Sequence, residues 1–138
     1  MATVRLSAVA FAVVTVVLLP GFVTSAHHSR AGYDTAKERL TTHAGVVAEV
    51  IWRNPHVYLN WDAKDDRGTV VRWTGEFSSP ATMISEGLGR DTFKVGDPLT
   101  VTFMPARAGT PQGLVIKILR PDGKVVIDLS QRRGLLDQ

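Results

Sequence analysis

After residue 40 apolar and polar residues alternate along most of the chain, and a period of two predicts strands rather than helices. From Thr41 to Trp52 the alternation places Val46, Ala48, Val50 and Trp52 on one face, which is expected to be buried. His43, Gly45, Val47, Glu49 and Ile51 share the other face, where His43 is expected to be a solvated or cross-strand residue. Asn54-Pro55 breaks this strand, because proline fixes φ and biases the preceding residue towards an extended conformation. The pattern restarts with Val57, Leu59 and Trp61 inward and with His56, Tyr58, Asn60 and Asp62 outward. Thr69 to Glu76 is the return strand, with Val71 and Trp73 as core positions.

The turn between these two strands sets their register. A two-residue loop at Asp66-Arg67 would pair Leu59 with Thr74 and mix the two faces. A three-residue Asp66-Arg67-Gly68 loop, with Gly68 supplying a left-handed residue, pairs Trp61 with Trp73 and keeps the faces consistent. That register predicts Glu76 opposite Tyr58, on the face of His56 and diagonal to it.

Ser78-Ser79-Pro80 predicts a short helix capped by Ser79, with Met83 and Ile84 inward and Gly87 at its end. A further strand buries Leu99, Val101 and Phe103, and a fifth buries Leu114, Ile116 and Ile118. Pro121-Asp122-Gly123 turns into a short sixth strand from Lys124 to Asp128. Three strands, a short helix and two more strands are the order of the OB-fold, a five-stranded, partly open Greek-key barrel. The expected class is therefore all-β, an OB-fold-like barrel of five or six strands with a short helix between strands 3 and 4. Other all-β barrels with the helix elsewhere stay open.

Composition narrows the setting. Arg5 is followed by the uncharged run Leu6 to Leu19, then by Pro20-Gly21 and by Thr24-Ser25-Ala26, the three-part plan of a secretory signal peptide. The expected organisation is a signal at 1–26, a polar arm at 27–40, the OB-like barrel at 41–130 and a loose tail at 131–138. An uncleaved membrane anchor is the alternative for the first segment. The expected location is thus periplasmic or secreted, with membrane contact only in transit unless the signal is retained. Losing Arg5 with the signal leaves 15 of the 16 Lys and Arg against 13 Asp and Glu, too balanced to predict a nucleic-acid partner. The absence of cysteine excludes disulfides and thiolate ligands, so any metal chemistry must use nitrogen and oxygen.

Cleavage after Ala26 would expose the α-amino group of His27. That amine and the imidazole of the same residue can chelate one ion, and a further imidazole can complete a planar nitrogen set suited to Cu(II). His56 is the best-placed distant imidazole, with His28 as an alternative or additional ligand. Glu76 would serve as an oxygen ligand or as acceptor for an imidazole N–H. The plain alternative is a polar terminus and a hydrogen-bonded corner histidine. No phosphate-binding glycine loop, hydrolase-like carboxylate pair or nucleophile elbow is present. The three tryptophans, Trp52, Trp61 and Trp73, have the parity of core residues rather than of a stacking platform.

Four segments together resemble a family of small exported bacterial proteins of unknown function. They are Ala26-His27-His28-Ser29, Trp52-Arg53-Asn54-Pro55-His56, Trp73-Thr74-Gly75-Glu76 with Ser79-Pro80, and Gly96-Asp97-Pro98-Leu99-Thr100-Val101. Glu76-Phe77-Ser78-Ser79-Pro80 departs from that family's more usual glycine before Ser-Pro. The resemblance implies export and a barrel-like domain, and implies no activity. The leading expectation is a copper-binding carrier or binding protein. The second is a metal-free module that takes a saccharide, peptide or periplasmic protein partner around Tyr58, Arg72 and Thr74. A copper enzyme with an open coordination position comes third.

Overall fold

A computed structural model describes residues 30–132 and residue 135. The expected signal segment, His27 and His28 lie outside the described residues. Six strands and one helix follow the arm: β1 (Thr41–Trp52), β2 (Val57–Lys64), β3 (Val70–Glu76), α1 (Pro80–Ser85), β4 (Pro98–Pro105), β5 (Gln112–Leu119) and β6 (Val125–Asp128). β1 pairs antiparallel with both β2 and β4, β2 with β3, and β4 with β5. A parallel pairing of β3 with β5, Thr74 opposite Gln112 to Glu76 opposite Leu114, closes the barrel. The result is a closed five-stranded mixed barrel of the expected OB-like order, and β6 is added antiparallel to β5.

The β2–β3 register is the three-residue solution. Trp61 faces Trp73 and Tyr58 faces Glu76, while Gly68 takes φ +80° and its N–H donates to the carbonyl of Asp65. A single register flip would have sent every side chain of β3 to the wrong face, so turn chemistry and core burial agree here.

Two bulges overturn part of the expected core. In β1 the pairing passes from Val47 opposite Trp61 to Glu49 opposite Asn60, which leaves Ala48 as an extra residue. Before the bulge His43, Gly45 and Val47 point inward; after it Val50 and Trp52 do. Val47 is therefore buried and Val46 is 44% exposed, the reverse of strict alternation. In β5 the partners of Thr102 and Phe103 are Lys117 and Val115, so Ile116 is the extra residue. Val115 and Ile118 fill the barrel, while Leu114 and Ile116 turn outward.

That outward face is covered. Met104, Ile116 and Leu135 form a second small core, with Tyr33, Leu40, Leu114 and Leu129 packed around it. The arm is tied down here by backbone bonds from Asp34 N–H to the Pro105 carbonyl and from Arg107 N–H to the Gly32 carbonyl.

The barrel's lower end is plugged by α1 and the loop after it. Ser79 Oγ accepts from the Thr82 N–H, Pro80 takes the first helical position, and Gly87 at φ +81° ends the helix as Leu88 N–H bonds back to the Met83 carbonyl. Met83, Leu88 and Phe93 enter the core, whereas Ile84 is 63% exposed. A helix of under two turns buries only a narrow stripe, and Leu88 fills the space expected for Ile84. Inside the barrel Gly45, Gly75 and Gly113 leave room for the large rings. A Cβ at Gly113 would stand 2.2 Å from Phe103, and one at Gly75 would stand 2.6 Å from Val115.

Candidate functional site

The corner ahead of β2 and the end of β3 meet at the barrel's side. Val57 N–H donates to the Ser78 carbonyl and Phe77 N–H to the Val57 carbonyl, which extends the β2–β3 ladder past Glu76. Tyr58 and Glu76 are directly opposed, so His56 lies diagonal to Glu76, as its parity requires. The two side chains meet: His56 Nδ1 is 2.7 Å from Glu76 Oε1. The other carboxylate oxygen, Oε2, accepts a hydrogen bond from the Tyr33 hydroxyl at 2.7 Å. With Nδ1 turned to Glu76, Nε2 is the ring nitrogen on the opposite edge of the imidazole. Glu76 is the sheltered member, its side chain 13% exposed against 30% for His56.

Tyr33 was not among the expected site residues. The one signal it offers in sequence is an aromatic ring within an otherwise polar arm. Burial, donation to Glu76 and the charge of Glu76 together push its hydroxyl well above its ordinary 10.0, so it remains a donor. Burial and Glu76 raise Tyr58 as well, against the opposing charge of Arg53. The Tyr58 ring stands edge-on to His56 with centroids 6.5 Å apart.

A cavity of about 200 Å³ opens beside this group, lined in part by Arg30, His56, Glu76, Ser78, Arg132 and Leu135. Arg30, from the arm, thus stands in the wall of the same cavity as His56. Of the four expected metal-binding residues, His56 and Glu76 are brought together; His27 and His28 are outside the described residues. Among the described residues no three His, Cys, Asp or Glu side chains converge as the ligands of a metal ion would.

The other expected binding face, around Tyr58, Arg72 and Thr74, is occupied by its own polar contacts. Arg72 forks Asp62 with two bonds of 2.8 Å, and Thr74 donates to Asn60 Oδ1 at 2.8 Å. Asn60 in turn donates to Glu49.

A family model described as a family of unknown function, DUF6152, matches residues 15–117. The chain belongs to this family. The DUF6152 match takes in the arm, the corner and the closing β3–β5 contact, so Tyr33, His56 and Glu76 all lie within it, and β6 and Leu135 lie beyond it. No curated protein and no solved structure matches the chain.

Proposed function

We propose that this DUF6152 protein is an exported β-barrel that binds a transition metal, most readily copper, between its processed N-terminus and His56. The carrying observation is that Arg30 lines the same cavity as His56, whose Nδ1 is engaged by Glu76. His27 is three residues before Arg30, a span of at most about 10 Å of extended chain. A stretch of that length is enough to reach from Arg30 to the half-buried His56 imidazole beside it in the cavity wall.

In this reading His27 supplies its amine and imidazole, His56 supplies Nε2, and His28 is an alternative or additional ligand. Glu76 is assigned to orienting His56 rather than to the metal itself, because Oε1 already faces His56 Nδ1 and Oε2 accepts from the Tyr33 hydroxyl. Nitrogen donors without thiolates suit Cu(II) above other divalent first-row ions. A binding or carrier role fits better than catalysis, since among the described residues no hydroxyl is hydrogen-bonded to His56.

The test is titration of the protein beginning at His27 with Cu(II), followed by spin-resonance spectroscopy. The expected spectrum is that of a tetragonal nitrogen site, with affinity reduced by at least about tenfold in His56→Ala. Binding that survives acetylation of the terminal amine and is unchanged in His56→Ala would refute the proposal.

A further inference from the structure

Glu76 joins two parts of the chain that are far apart in sequence. Its place at the end of β3, opposite Tyr58 on one side and Leu114 on the other, aims the side chain off the outer face of the barrel. A long outward carboxylate left in water samples several rotamers. Here it is held through both oxygens: Oε1 faces His56 Nδ1 at 2.7 Å, and Oε2 accepts from the Tyr33 hydroxyl at 2.7 Å. Two contacts on different oxygens fix the plane of the carboxylate, whereas either one alone leaves it free to swing about the other.

Tyr33 is itself held by contacts that belong to the arm and not to the corner. Its ring packs against the second core of Met104, Ile116 and Leu135. Its carbonyl accepts from Arg107 Nε at 2.9 Å, and it forms a backbone bridge with Ala106. The next residue, Asp34, donates its N–H to the Pro105 carbonyl at 2.9 Å. A chain of contacts thus runs from the loop after β4 through Tyr33 and Glu76 to His56. Tyr58, the ring beside His56, adds an edge-on contact with centroids 6.5 Å apart, which cannot stand in for a carboxylate at Nδ1.

We infer that Tyr33 is a positioning residue for the His56 site: while the arm is docked, its hydroxyl holds Glu76 so that His56 keeps its proton on Nδ1 and leaves Nε2 for the metal. The inference rests on the reading of His56 as a metal ligand and adds a control to it. The segment that carries the terminal histidines also sets the imidazole they are to meet. Docking of the arm and binding of the metal are then linked, and each favours the other by the same factor. A tyrosine that only supported the fold would be indifferent to which nitrogen of His56 carries the proton.

The test begins without metal, in the protein beginning at His27 with isotopically labelled histidine. With the imidazole neutral, the resonances of its two ring nitrogens report which of them holds the proton. The parent is expected to show one tautomer, protonated at Nδ1. Tyr33→Phe keeps the aromatic ring in the second core and should move both His56 signals towards a mixture of tautomers, in the direction set by Glu76→Gln. Arg107→Ala, at an exposed position whose side chain holds the Tyr33 carbonyl, should move them the same way by less, and it replaces Tyr33→Phe if that variant does not fold. Cu(II) alone is then titrated into the same proteins, and Tyr33→Phe should bind it at least about tenfold more weakly than the parent. Unchanged His56 ring signals in Tyr33→Phe would overturn the inference, as would a parent that already shows both tautomers. If the signals move but the parent, Tyr33→Phe and His56→Ala bind Cu(II) equally, the metal reading fails and the positioning of His56 by Tyr33 stands.

Discussion

Tyr33→Phe removes one hydroxyl and leaves the ring free to pack against the second core. The lost contact is a 2.7 Å donation to Glu76, a carboxylate with 13% of its side chain exposed. Hydrogen bonds to charged groups contribute about 1.5–3 kcal/mol, and an acceptor left unpaired in a sheltered place is poorly repaired by water. The arm keeps its backbone bonds to Pro105 and Arg107, so the lower end applies: about 1.5 kcal/mol. For a domain of this size that is a fall in Tm of roughly 5–8 °C. The assay is reversible urea unfolding of the parent, Tyr33→Phe, Glu76→Gln and the double variant. Because the two residues share one bond, the double variant should cost about 1 kcal/mol less than the sum of the singles. A Tyr33→Phe protein within about 0.3 kcal/mol of the parent, or strict additivity in the cycle, would refute the claim that this bond ties the arm to the barrel.

Gly45→Ala should destabilise by more than about 2 kcal/mol, since its Cβ would lie 2.4 Å from the Asp62 carbonyl oxygen and 2.7 Å from Trp61, and a paired backbone carbonyl cannot retreat cheaply. Gly32→Ala, with open space around it, is the matching control and should stay within about 0.5 kcal/mol in the same unfolding assay. His43 carries a pH signature: folding lowers its pKa from the ordinary 6.5, so the unfolded chain binds the proton more readily than the folded one. Its contribution is complete above 6.5 and is lost as pH falls through the folded value. The parent minus His43→Phe difference in unfolding free energy, measured from pH 8 to pH 5, should therefore decline on acidification; a flat difference would contradict the buried, neutral ring.

Legibility followed the reach of local rules. The β2–β3 hairpin was readable because Gly68 and the alternation of Leu59, Trp61 and Trp73 constrain the same register independently. His56 and Glu76 were then brought together by arithmetic on that register, and they meet at 2.7 Å. Parity failed in β1 and β5 because a bulge inserts one residue without a clear mark in composition. Ala48 and Ile116 look like ordinary strand residues. The same slip concealed His43, which alternation had placed with Glu49 on the outside.

The amino-acid sequence alone determined the element order, the helix cap at Ser79, the turn at Gly68 and the outward direction of the His56 corner. Each depends on contacts or dihedral preferences within a few residues. Only the tertiary structure decided that Tyr33 would complete the carboxylate's hydrogen bonds, from 43 residues away. It also decided that Leu114 and Ile116 would form a second core, and that His43 would turn into the barrel. The physical reason is common to all three: they depend on where two bulges shift the pairing and on how the arm crosses the finished barrel, which are properties of the closed sheet and not of any segment within it.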